Sequence, residues 1–413
     1  MKIGYFTDTY YPQLNGVTIS VGQFAQMLRK QGHTVYIFAP KIKDYNDNEG
    51  DIFRIRSVKI ISSEPEVMMP LLLPEASMRK IFNLDLDIVH AHGNGPFSFL
   101  GYQVAKAKNI PFVMTFHNLH TKYTHYIFNG KVIKPRMVAA GLRVFGNICN
   151  SVIVPSEKMR REIQRFGVKK PIFVVPNFVD MSRFGNAEKG YLHTMLGLPL
   201  KTPLILSVGR LGKEKNFTFL IKTFAKLCQR EKSSHLVIVG QGVEEHALKK
   251  LVHTLHITDR VHFTGSISSS EMPKVYADAK LFVFASVSET QGLCVLEAAA
   301  SCLPLIVAKD LAYQEIVEDG KDGFMLPLNQ TIFCKTMLSL LNDPETLHRF
   351  GQQARKHAEA YSRPEFLTTQ LVNCYETTIT NYHGAPLTKN YLQRRYLVNF
   401  LRLTQRLQKF FDE

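Results

Sequence analysis

Two glutamates around a glycine-led helix start are the first residues in this chain whose types and spacing indicate chemistry. They lie in residues 281–304, LFVFASVSETQGLCVLEAAASCLP. Glu289 belongs to a polar loop, and Glu297 lies about a turn and a half into the helix that Gly292 opens, roughly 7 Å along its axis. A helix start after a strand presents unpaired N–H groups and the positive end of the helix dipole, so it can bind an anion.

The two carboxylates indicate sugar hydroxyls as ligands rather than the phosphate itself. A carboxylate repels a phosphate but accepts hydrogen bonds from hydroxyl groups, which is how a protein holds a ribose or a hexose. The alternative is that a glutamate here only stabilises the helix N-terminus through the dipole. This stretch alone leaves both interpretations open.

An arginine and a lysine occur at a similar strand end earlier in the chain. Arg210 follows the predicted strand 204–208, and Lys215 comes just before the next predicted helix. Both can reach a diphosphate held near Gly292, the arginine as a planar fork and the lysine as a point charge. Together they would neutralise a nucleoside diphosphate, although each taken alone could be a surface cation.

The first half of the chain contributes a glycine and a histidine. Gly16 precedes the first predicted helix, where a glycine lets the backbone come close to a ligand. His117 follows the predicted strand 111–115 and could donate to a sugar hydroxyl or polarise a reacting centre. A lone histidine is more often structural, and this is our interpretation of His90, His92, His120 and His125.

Composition limits the class of protein. The chain has 413 residues, which suits two domains, and its 45% hydrophobic and 21% charged residues are typical of a soluble globular protein. The formal net charge of +16 indicates an anionic partner, either nucleic acid, an anionic membrane or a phosphorylated substrate. No helix-turn-helix, zinc or RNA-binding pattern accompanies the charge, which disfavours nucleic acid.

The expected location is the cytosol. No apolar run reaches the roughly 18 to 20 residues of a membrane span, and Met1 leads directly into a strand rather than a signal peptide. The six cysteines include no C-x-x-C pair, which predicts reduced thiols and disfavours structural zinc.

Strand and helix patterns alternate through most of the chain, which predicts two parallel sheets covered by helices. The first predicted strands are 2–6, 35–39, 87–90, 111–115, 151–154 and 172–175. The second series is 204–208, 236–239, 261–263, 281–284 and 305–307. The aperiodic segment 176–202 is the predicted linker. Ligands bind at the carboxyl ends of such strands, so we expect the active site in a cleft between the two domains.

Only helical patterns follow residue 361. A helix is predicted over 364–381, and the tail from 386 onward has the pattern of a basic amphipathic helix. The tail could pack onto the body of the protein or lie on a membrane surface.

Four motifs carry a resemblance to a known family: FTDTYYPQLNGV, TFHNLHTKYTHY, VGRLGKEKN and SVSETQGLCVLE. From residue 1 to about 382 the chain resembles the retaining nucleotide-sugar glycosyltransferases of family four, most of all the bacterial 1,2-diacylglycerol 3-glucosyltransferases. The resemblance implies an α/β GT-B fold, with two Rossmann-like domains facing across a cleft. Residues 1–180 would bind the acceptor and 181–362 the nucleotide sugar, while helices over 363–413 would cross back to the first domain.

The implied activity is retaining transfer of a hexose to a membrane lipid. Glucose from UDP-glucose is the expected donor and 1,2-diacylglycerol the expected acceptor, at the inner face of the cell membrane, with no metal or other cofactor. One alternative is a family-four transferase that acts on a phosphoinositide, a glycolipid sugar or a polysaccharide. Another is a GT-B-fold sugar-nucleotide epimerase, which would lack the pairing of GRLGKEKN with SETQGL.

The resemblance also implies roles for single residues. Arg210 and Lys215 would stabilise the departing diphosphate, Glu297 would hold the ribose hydroxyls and Glu289 the donor hexose. The expected donor-binding set is Gly16, Arg210, Lys215, Glu289, Thr290, Gln291, Gly292, Leu293 and Glu297. The expected catalytic set is His117, Arg210, Lys215 and Glu289.

In such enzymes Gly16 would approach the diphosphate and His117 would contact the hexose near its anomeric carbon. The donor phosphate would take the acceptor's proton, so no protein base is expected and catalysis would be mainly electrostatic. Two positions depart from the family pattern. The family usually has a glycine where this chain has Phe178, and a glycine that precedes the proline where this chain has Cys302-Leu303-Pro304. The first departure could alter a hinge and the second a helix end.

Two segments could contact an anionic bilayer. Residues 67–74 are apolar and are followed by Arg79 and Lys80. A second cluster combines basic and apolar side chains, namely Lys131, Lys134, Arg136, Val138, Leu142, Arg143, Val144 and Phe145. The alternative is that the first segment belongs to the core and that the second is only a solvated helix.

Overall fold

The computed structural model of the protein describes residues 1–13, 15–47, 49–61, 67–70, 80–118 and 135–384. The chain divides into two compact units. The first comprises Met1–Pro176 together with the chain from Glu365, and the second comprises Asn177–Pro364. Several features predicted from the sequence lie outside the described residues, namely the tail from 386, His120, His125, Arg79, Lys131, Lys134 and residues 71–74.

The first unit contains a seven-stranded parallel sheet and a separate two-stranded antiparallel pair. Its strands are β1 (Lys2–Thr7), β2 (Thr34–Pro40), β3 (Ile52–Ile55), β4 (Ser57–Ile61), β5 (Val67–Pro70), β6 (Ile88–His92), β7 (Phe112–Thr115), β8 (Ser151–Val154) and β9 (Ile172–Val174). The strand order of the large sheet is β3-β2-β1-β6-β7-β8-β9, and β4 pairs with β5. The order reverses between β1 and β6, so the loops after these two strands meet at the switch point of the sheet.

Helices cover this sheet because each presents an apolar face to it. They are α1 (Gly16–Lys30), α2 (Pro96–Lys108), α3 (Pro135–Ile148) and α4 (Glu157–Arg165). Helix α1 begins where the side chain of Asn15 accepts a 2.9 Å hydrogen bond from the N–H of Thr18, a typical N-cap.

Helix α3 corrects one of our expectations about a membrane surface. Leu142 is buried in the core of the first unit, and Val138 and Phe145 pack against that core. Val144 of the predicted cluster is exposed, and so is Met137, which the predicted cluster did not include. Only part of the predicted apolar and basic cluster therefore faces solvent.

The second unit contains a six-stranded parallel sheet. Its strands are β10 (Leu204–Val208), β11 (His235–Val239), β12 (Val261–Gly265), β13 (Leu281–Phe284), β14 (Leu305–Ala308) and β15 (Gly323–Leu326). The strand order is β12-β11-β10-β13-β14-β15. Side chains alternate between the two faces, so Leu204 and Leu206 join one core cluster while Ile205 joins the other.

The helices of the second unit are α5 (Tyr191–Leu196), α6 (Phe217–Leu227), α7 (Glu245–Thr254), α8 (Met272–Ala277), α9 (Leu293–Ala300), α10 (Gln330–Leu341) and α11 (Pro344–Tyr361). The strand order of this sheet reverses between β10 and β13, which are neighbours in space but not in sequence. In open parallel sheets ligands bind at the carboxyl ends of such neighbours. The loops after β10 and β13 are therefore where a ligand of this unit is expected.

The last described helix returns to the first unit. Helix α12 (Pro364–Thr380) carries Tyr375, whose hydroxyl lies 3.1 Å from that of Tyr5 on β1 and 2.6 Å from Nδ1 of His90 on β6. The hydroxyl of Thr378 lies 2.8 Å from that of Ser151 on β8. These buried hydrogen bonds attach α12 to three strands of the first sheet.

The predicted linker is wrong for most of its length. Residues 177–202 belong to the second unit and include α5 and a 3-10 turn, Met181–Arg183. Leu192 is fully buried, and the Asp278 carboxylate accepts hydrogen bonds from the N–H groups of Gly190 and Leu192. A tertiary contact thus orders a segment whose sequence has no periodicity. Strands β3, β4, β5 and β15 were not predicted.

Both departures from the family pattern are accommodated in the structure of the second unit. Phe178 is buried. Cys302 ends α9 with a left-handed φ of 58°, and the N–H groups of Cys302 and Leu303 donate to the carbonyls of Ala299 and Ala298. That pattern is a Schellman motif, in which glycine is the usual residue at the position of Cys302.

Candidate active site

The loop after β10 carries an arginine held by a buried glutamate. Nη2 of Arg210 donates to Oε1 of Glu214 at 2.9 Å, and the side chain of Glu214 is only 2% exposed. Arg210 is 31% exposed, so its guanidinium is fixed at one end and still accessible. The sequence placed Glu214 in the motif, but we predicted no role for it.

A lysine and a glutamate from two different loops form the second ion pair of the site. Nζ of Lys215 donates to Oε1 of Glu289 at 2.6 Å, and the hydroxyl of Ser286 donates to the same oxygen at 2.7 Å. The ammonium group also lies 5.6 Å from the ring centroid of Phe284, at the end of β13. Lys215 and Glu289, predicted separately, are therefore in direct contact.

Further hydrogen bonds join the loops after β10 and β13. The hydroxyl of Ser288 donates to the backbone carbonyl of Glu214 at 3.2 Å. The hydroxyl oxygen of Ser286, whose single proton is donated to Glu289, lies 3.1 Å from the same carbonyl. The buried hydroxyl of Tyr313 donates to the carbonyl of Ser286 at 2.8 Å. These hydrogen bonds hold the backbone that carries the two cations, and fixed charges of this kind favour electrostatic catalysis.

Gly292 is the N-cap residue of α9, at the predicted helix start, and the backbone requires a glycine there. Its φ is 88°, and a Cβ at this position would lie 2.8 Å from Cε1 of Tyr313. The left-handed φ and the close approach of Tyr313 both mean that any residue with a Cβ would be strained at this position. Thr290 and Leu293 flank this turn and are partly exposed.

The side chain of Gln291 has a structural role and is not available to bind the donor. Its Oε1 accepts from the backbone N–H and from Nδ2 of Asn177 at 3.0 and 2.8 Å, and its Nε2 donates to the Asn177 carbonyl at 2.7 Å and the Tyr361 hydroxyl at 3.2 Å. These four bonds occupy the whole amide. Of Gln291, only the backbone remains a candidate for contact with the donor.

Glu297 accepts a hydrogen bond from a tyrosine that the sequence did not single out. The hydroxyl of Tyr276, on α8, lies 2.8 Å from Oε2 of Glu297 and 3.3 Å from the carbonyl oxygen of Cys294. Burial raises the pKa of Glu297, and the hydrogen bond from Tyr276 opposes that rise. Tyr276 lies 21 residues before Glu297 on a different helix, so no local sequence pattern signals this contact.

Three of the four charged candidates act electrostatically on Cys294. Burial raises the pKa of the Cys294 thiol, and the charges of Glu289, Lys215 and Glu297 add smaller effects. The thiol is therefore within electrostatic reach of all three. Among the residues that the structure describes, no cluster of histidine, cysteine, aspartate or glutamate could hold a metal ion.

His117 and His92 are hydrogen-bonded in the first unit. Nδ1 of His92 lies 3.1 Å from Nε2 of His117. Burial lowers the pKa of His117 to about 4, and burial, with a smaller effect of the neighbouring histidines, lowers the pKa of His92 well below its usual value. Both imidazoles are therefore neutral near pH 7, and only one proton can lie between them.

The direction of this hydrogen bond follows from His92. Its Nε2 is buried and has no hydrogen-bond partner among the described residues. A buried N–H without an acceptor is rarer than a buried lone pair, so we assign the His92 proton to Nδ1 from the hydrogen-bond network. His92 then donates to His117, and His117 carries its own proton on Nδ1. His90 is a satisfied core histidine, bonded to Tyr375 and to Thr115.

The loop after β1 contains a buried carboxylate that the sequence analysis did not assign. Asp8 accepts the N–H of Phe97 at 2.9 Å at the start of α2, and burial raises its pKa to about 6 against the effect of its backbone hydrogen bonds. Gly16 begins α1 and is exposed. Gly16 and His117 belong to the first unit, whereas the four charged candidates belong to the second.

Solved structures of similar architecture define the class of this protein. Sucrose-phosphate synthase from Thermosynechococcus elongatus superposes with a TM-score of 0.74 at 20% identity, covering 92% of this chain and 99% of that one. HepE from Anabaena, solved in complex with UDP, gives 0.71 at 17% identity over 91% and 100% of the two chains. The protein therefore has the GT-B fold of glycosyltransferases, as the resemblance implied.

Sequence comparisons specify the family. Residues 14–183 match the model described as Glycosyltransferase Family 4, and residues 192–357 match Glycosyl transferases group 1. An alpha-monoglucosyldiacylglycerol synthase of Streptococcus pneumoniae is 34% identical over 329 residues, 78% of this chain and 74% of the relative. One from Acholeplasma laidlawii is 28% identical over 88% and 94% of the two chains. The chain belongs to the family-four glycosyltransferases, which confirms the predicted family.

Proposed function

We propose that this enzyme is a retaining glucosyltransferase that moves glucose from UDP-glucose to 1,2-diacylglycerol. The observation that carries the proposal is the pair of anchored cations, Arg210 and Lys215, beside the start of α9 at the switch point of the second sheet. A diphosphate bound there would be neutralised by two positive charges and by the helix N-terminus. The HepE structure was also solved with UDP-glucose, which supports this donor.

Each charged residue has a distinct part in the proposed reaction. The bond between the anomeric carbon and the β-phosphate oxygen breaks, and the negative charge grows on the departing UDP. Arg210 and Lys215 stabilise that charge. Glu289 accepts hydrogen bonds from the hexose while holding Lys215, and Glu297 accepts them from the ribose hydroxyls.

The acceptor oxygen attacks on the face that UDP leaves, so the configuration at the anomeric carbon is retained. Its proton passes to the departing phosphate oxygen, which balances the step without a protein base. His117, whose proton we assign to Nδ1, would donate to the hexose, and Gly16 would approach the diphosphate. In such a site the loss of one preorganised donor costs about 3 to 4 kcal/mol of transition-state stabilisation. Metal independence of this reaction is part of the proposal.

The acceptor is inferred from the relatives. Two of them are named alpha-monoglucosyldiacylglycerol synthases, and a third, from Arabidopsis thaliana, is a sulfoquinovosyl transferase that is 29% identical over 87% of this chain. A diacylglycerol acceptor lies in a membrane, so the enzyme must bind a lipid surface. None of the described helices is both long and apolar enough to cross a membrane.

The proposed membrane contact is the exposed face of α3. Met137 and Val144 are 58% and 57% exposed, and the basic residues Arg136 and Arg143 lie next to them in sequence and are exposed as well. Apolar side chains with adjacent cations suit an anionic bilayer, where each cation near the surface contributes about 1 kcal/mol. The proposed location is therefore the cytoplasmic face of the cell membrane.

The activity is tested by a screen of UDP-glucose, UDP-galactose and GDP-mannose against vesicles that contain diacylglycerol. We expect α-glucosyldiacylglycerol from UDP-glucose, identified by thin-layer chromatography and by its anomeric NMR signal. A β-linked product would overturn retention. Transfer only to a phosphoinositide, a glycolipid sugar or a polysaccharide would support a family-four enzyme with another acceptor, and conversion of the sugar nucleotide alone would indicate an epimerase.

Membrane binding is tested by co-sedimentation with vesicles of phosphatidylcholine, with and without phosphatidylglycerol. We expect binding that increases with anionic lipid and that falls when Arg136 and Arg143 are both changed to glutamate. The matched control changes Lys249 and Lys250, exposed on α7, to glutamate and so alters the net charge equally. The proposed surface would be contradicted if binding depended on neither anionic lipid nor salt, or if the control variant lost as much vesicle binding.

A further inference from the structure

We propose that Tyr276 is a positioning residue that orients Glu297 toward the ribose of the donor nucleotide. The inference rests on the proposed role of Glu297 in binding the ribose hydroxyls. Tyr276 itself would not touch the nucleotide, because its side chain is fully buried in the core of the second unit.

The tyrosine hydroxyl has a specific partner. It lies 2.8 Å from Oε2 of Glu297, an ideal length, and 3.3 Å from the carbonyl oxygen of Cys294. A phenol has a single O–H to donate, and an ionised carboxylate is a stronger acceptor than a backbone carbonyl. The hydroxyl of Tyr276 therefore donates its proton to the Glu297 carboxylate, and its contact with the carbonyl is secondary.

The ring of Tyr276 is fixed by its surroundings. Its centroid lies 6.0 Å from that of Phe184, in an edge-to-face arrangement, and 6.1 Å from that of Phe282 on β13. A close-packed ring cannot move to follow the carboxylate. The hydroxyl is thus a fixed point, and it selects one rotamer of a glutamate that has several rotatable bonds.

The selected rotamer has a consequence for the ligand. A carboxylate has about four lone-pair positions, and Tyr276 uses one of them on Oε2. A ribose presents two neighbouring hydroxyls, and a glutamate whose orientation is already set can accept from them without first losing rotamer freedom. Phenylalanine would fill the same core volume, so packing alone does not explain the hydroxyl at this position.

The test compares UDP with 2′-deoxy-UDP as ligands, measured by calorimetry for the wild-type protein and for Tyr276→Phe. We expect the wild type to prefer UDP. We expect Tyr276→Phe to weaken UDP binding about tenfold, the size of one hydrogen bond, and to weaken 2′-deoxy-UDP binding much less. The matched control is Tyr375→Phe, which removes a buried tyrosine hydroxyl in the first unit and should leave UDP affinity unchanged.

The outcomes distinguish the positioning role of Tyr276 from the ribose-binding role of Glu297 on which it rests. A wild type that binds UDP and 2′-deoxy-UDP equally would overturn the ribose role of Glu297, and the role of Tyr276 with it. A wild type that discriminates, together with a Tyr276→Phe variant that loses affinity for both ligands equally or for neither, would overturn the role of Tyr276 alone. If Tyr276→Phe does not fold, Glu297→Asp withdraws the carboxylate from both the tyrosine and the ribose, and unchanged discrimination there would overturn the ribose role of Glu297 and the role of Tyr276 with it.

Discussion

Lys215 and Glu289 form an ion pair of 2.6 Å across 74 residues of chain. Their side chains are 15% and 12% exposed, so the pair lies mostly out of water, where an ionic hydrogen bond is stronger than at the surface. The pair connects the loop after β10 to the loop after β13. Glu289 thus has two uses in the proposed reaction, as the anchor of a cation and as an acceptor for the hexose.

The first prediction concerns Lys215. Replacing it by alanine removes a positive charge from the place where the departing diphosphate becomes negative, so turnover should fall by about 10² to 10³-fold. The measurement is the steady-state rate of glucosyl transfer. The control is Lys213→Ala, since Lys213 lies in the same 3-10 turn and is exposed. Equal rates for the two variants would count against the proposed site.

The second prediction concerns Glu214, which holds Arg210 at 2.9 Å. Glu214→Gln keeps the volume of the side chain but loses the charge that fixes the guanidinium. We expect a lower kcat/KM, by about tenfold, and weaker binding of UDP. Glu245→Gln, which breaks the exposed pair with Lys249, is the control and should change neither quantity. A Glu214→Gln enzyme with normal UDP affinity would refute this role.

The third prediction concerns His92, which donates to His117 in our assignment. His92→Asn places an amide N–H where Nδ1 stood and should preserve activity. His92→Leu removes the donor and should lower kcat about tenfold, because His117 is no longer held in one tautomer. UDP affinity should be equal in both variants, since neither His92 nor His117 is among the proposed nucleotide contacts. Equal activity of the two variants would contradict the tautomer assignment.

The fourth prediction concerns the end of α9. Cys302 has a φ of 58°, a conformation that costs a residue with a Cβ about 1 kcal/mol or more and that glycine adopts freely. Cys302→Gly should therefore raise the free energy of unfolding, by up to about 1 kcal/mol, as measured by chemical denaturation. Cys302→Ala retains the Cβ and should give no gain. A gain in both variants would mean that the thiol, not the backbone, is the unfavourable element.

The fifth prediction concerns His357 and Asp322, whose Nδ1 and Oδ2 atoms lie 2.8 Å apart. The hydrogen bond that His357 donates to the buried aspartate raises the pKa of His357 above its ordinary 6.5. A raised pKa in the folded state stabilises the protein in full below the unfolded pKa, and this contribution is lost as pH rises through the folded pKa.

The comparison for this pair is His357→Asn, which keeps a donor but does not titrate. The wild type should exceed it in stability at pH 5.5, by no more than about 0.5 kcal/mol because the histidine is partly exposed, and the difference should shrink by pH 8.5. Chemical denaturation at the two pH values measures it. His253→Asn, at an exposed position of α7, is the control. A difference that grows with pH would refute the proposed linkage.

Local sequence patterns were sufficient for much of the fold. Strands β8, β10 and β13 have the predicted bounds, because short runs of apolar residues specify buried parallel strands wherever they occur. The strands β3 to β5 and β15 were missed because their sequences are less typical of buried strands. Each contains a charged residue, a proline or a glycine, namely Arg54, Lys59, Pro70 and Gly323. The linker was misassigned because Asp278, far along the chain, orders it through contacts that local sequence does not contain.

The sequence by itself determined the family, the alternation of strands and helices, and the charged residues at the ends of β10 and β13. The tertiary structure decided what those residues contact. Glu289 pairs with Lys215, Glu297 accepts from Tyr276 and the side chain of Gln291 is committed to Asn177. Residue type specifies what a side chain can bind, but partners from 21 to 114 residues apart meet only where the order of the strands brings their loops together.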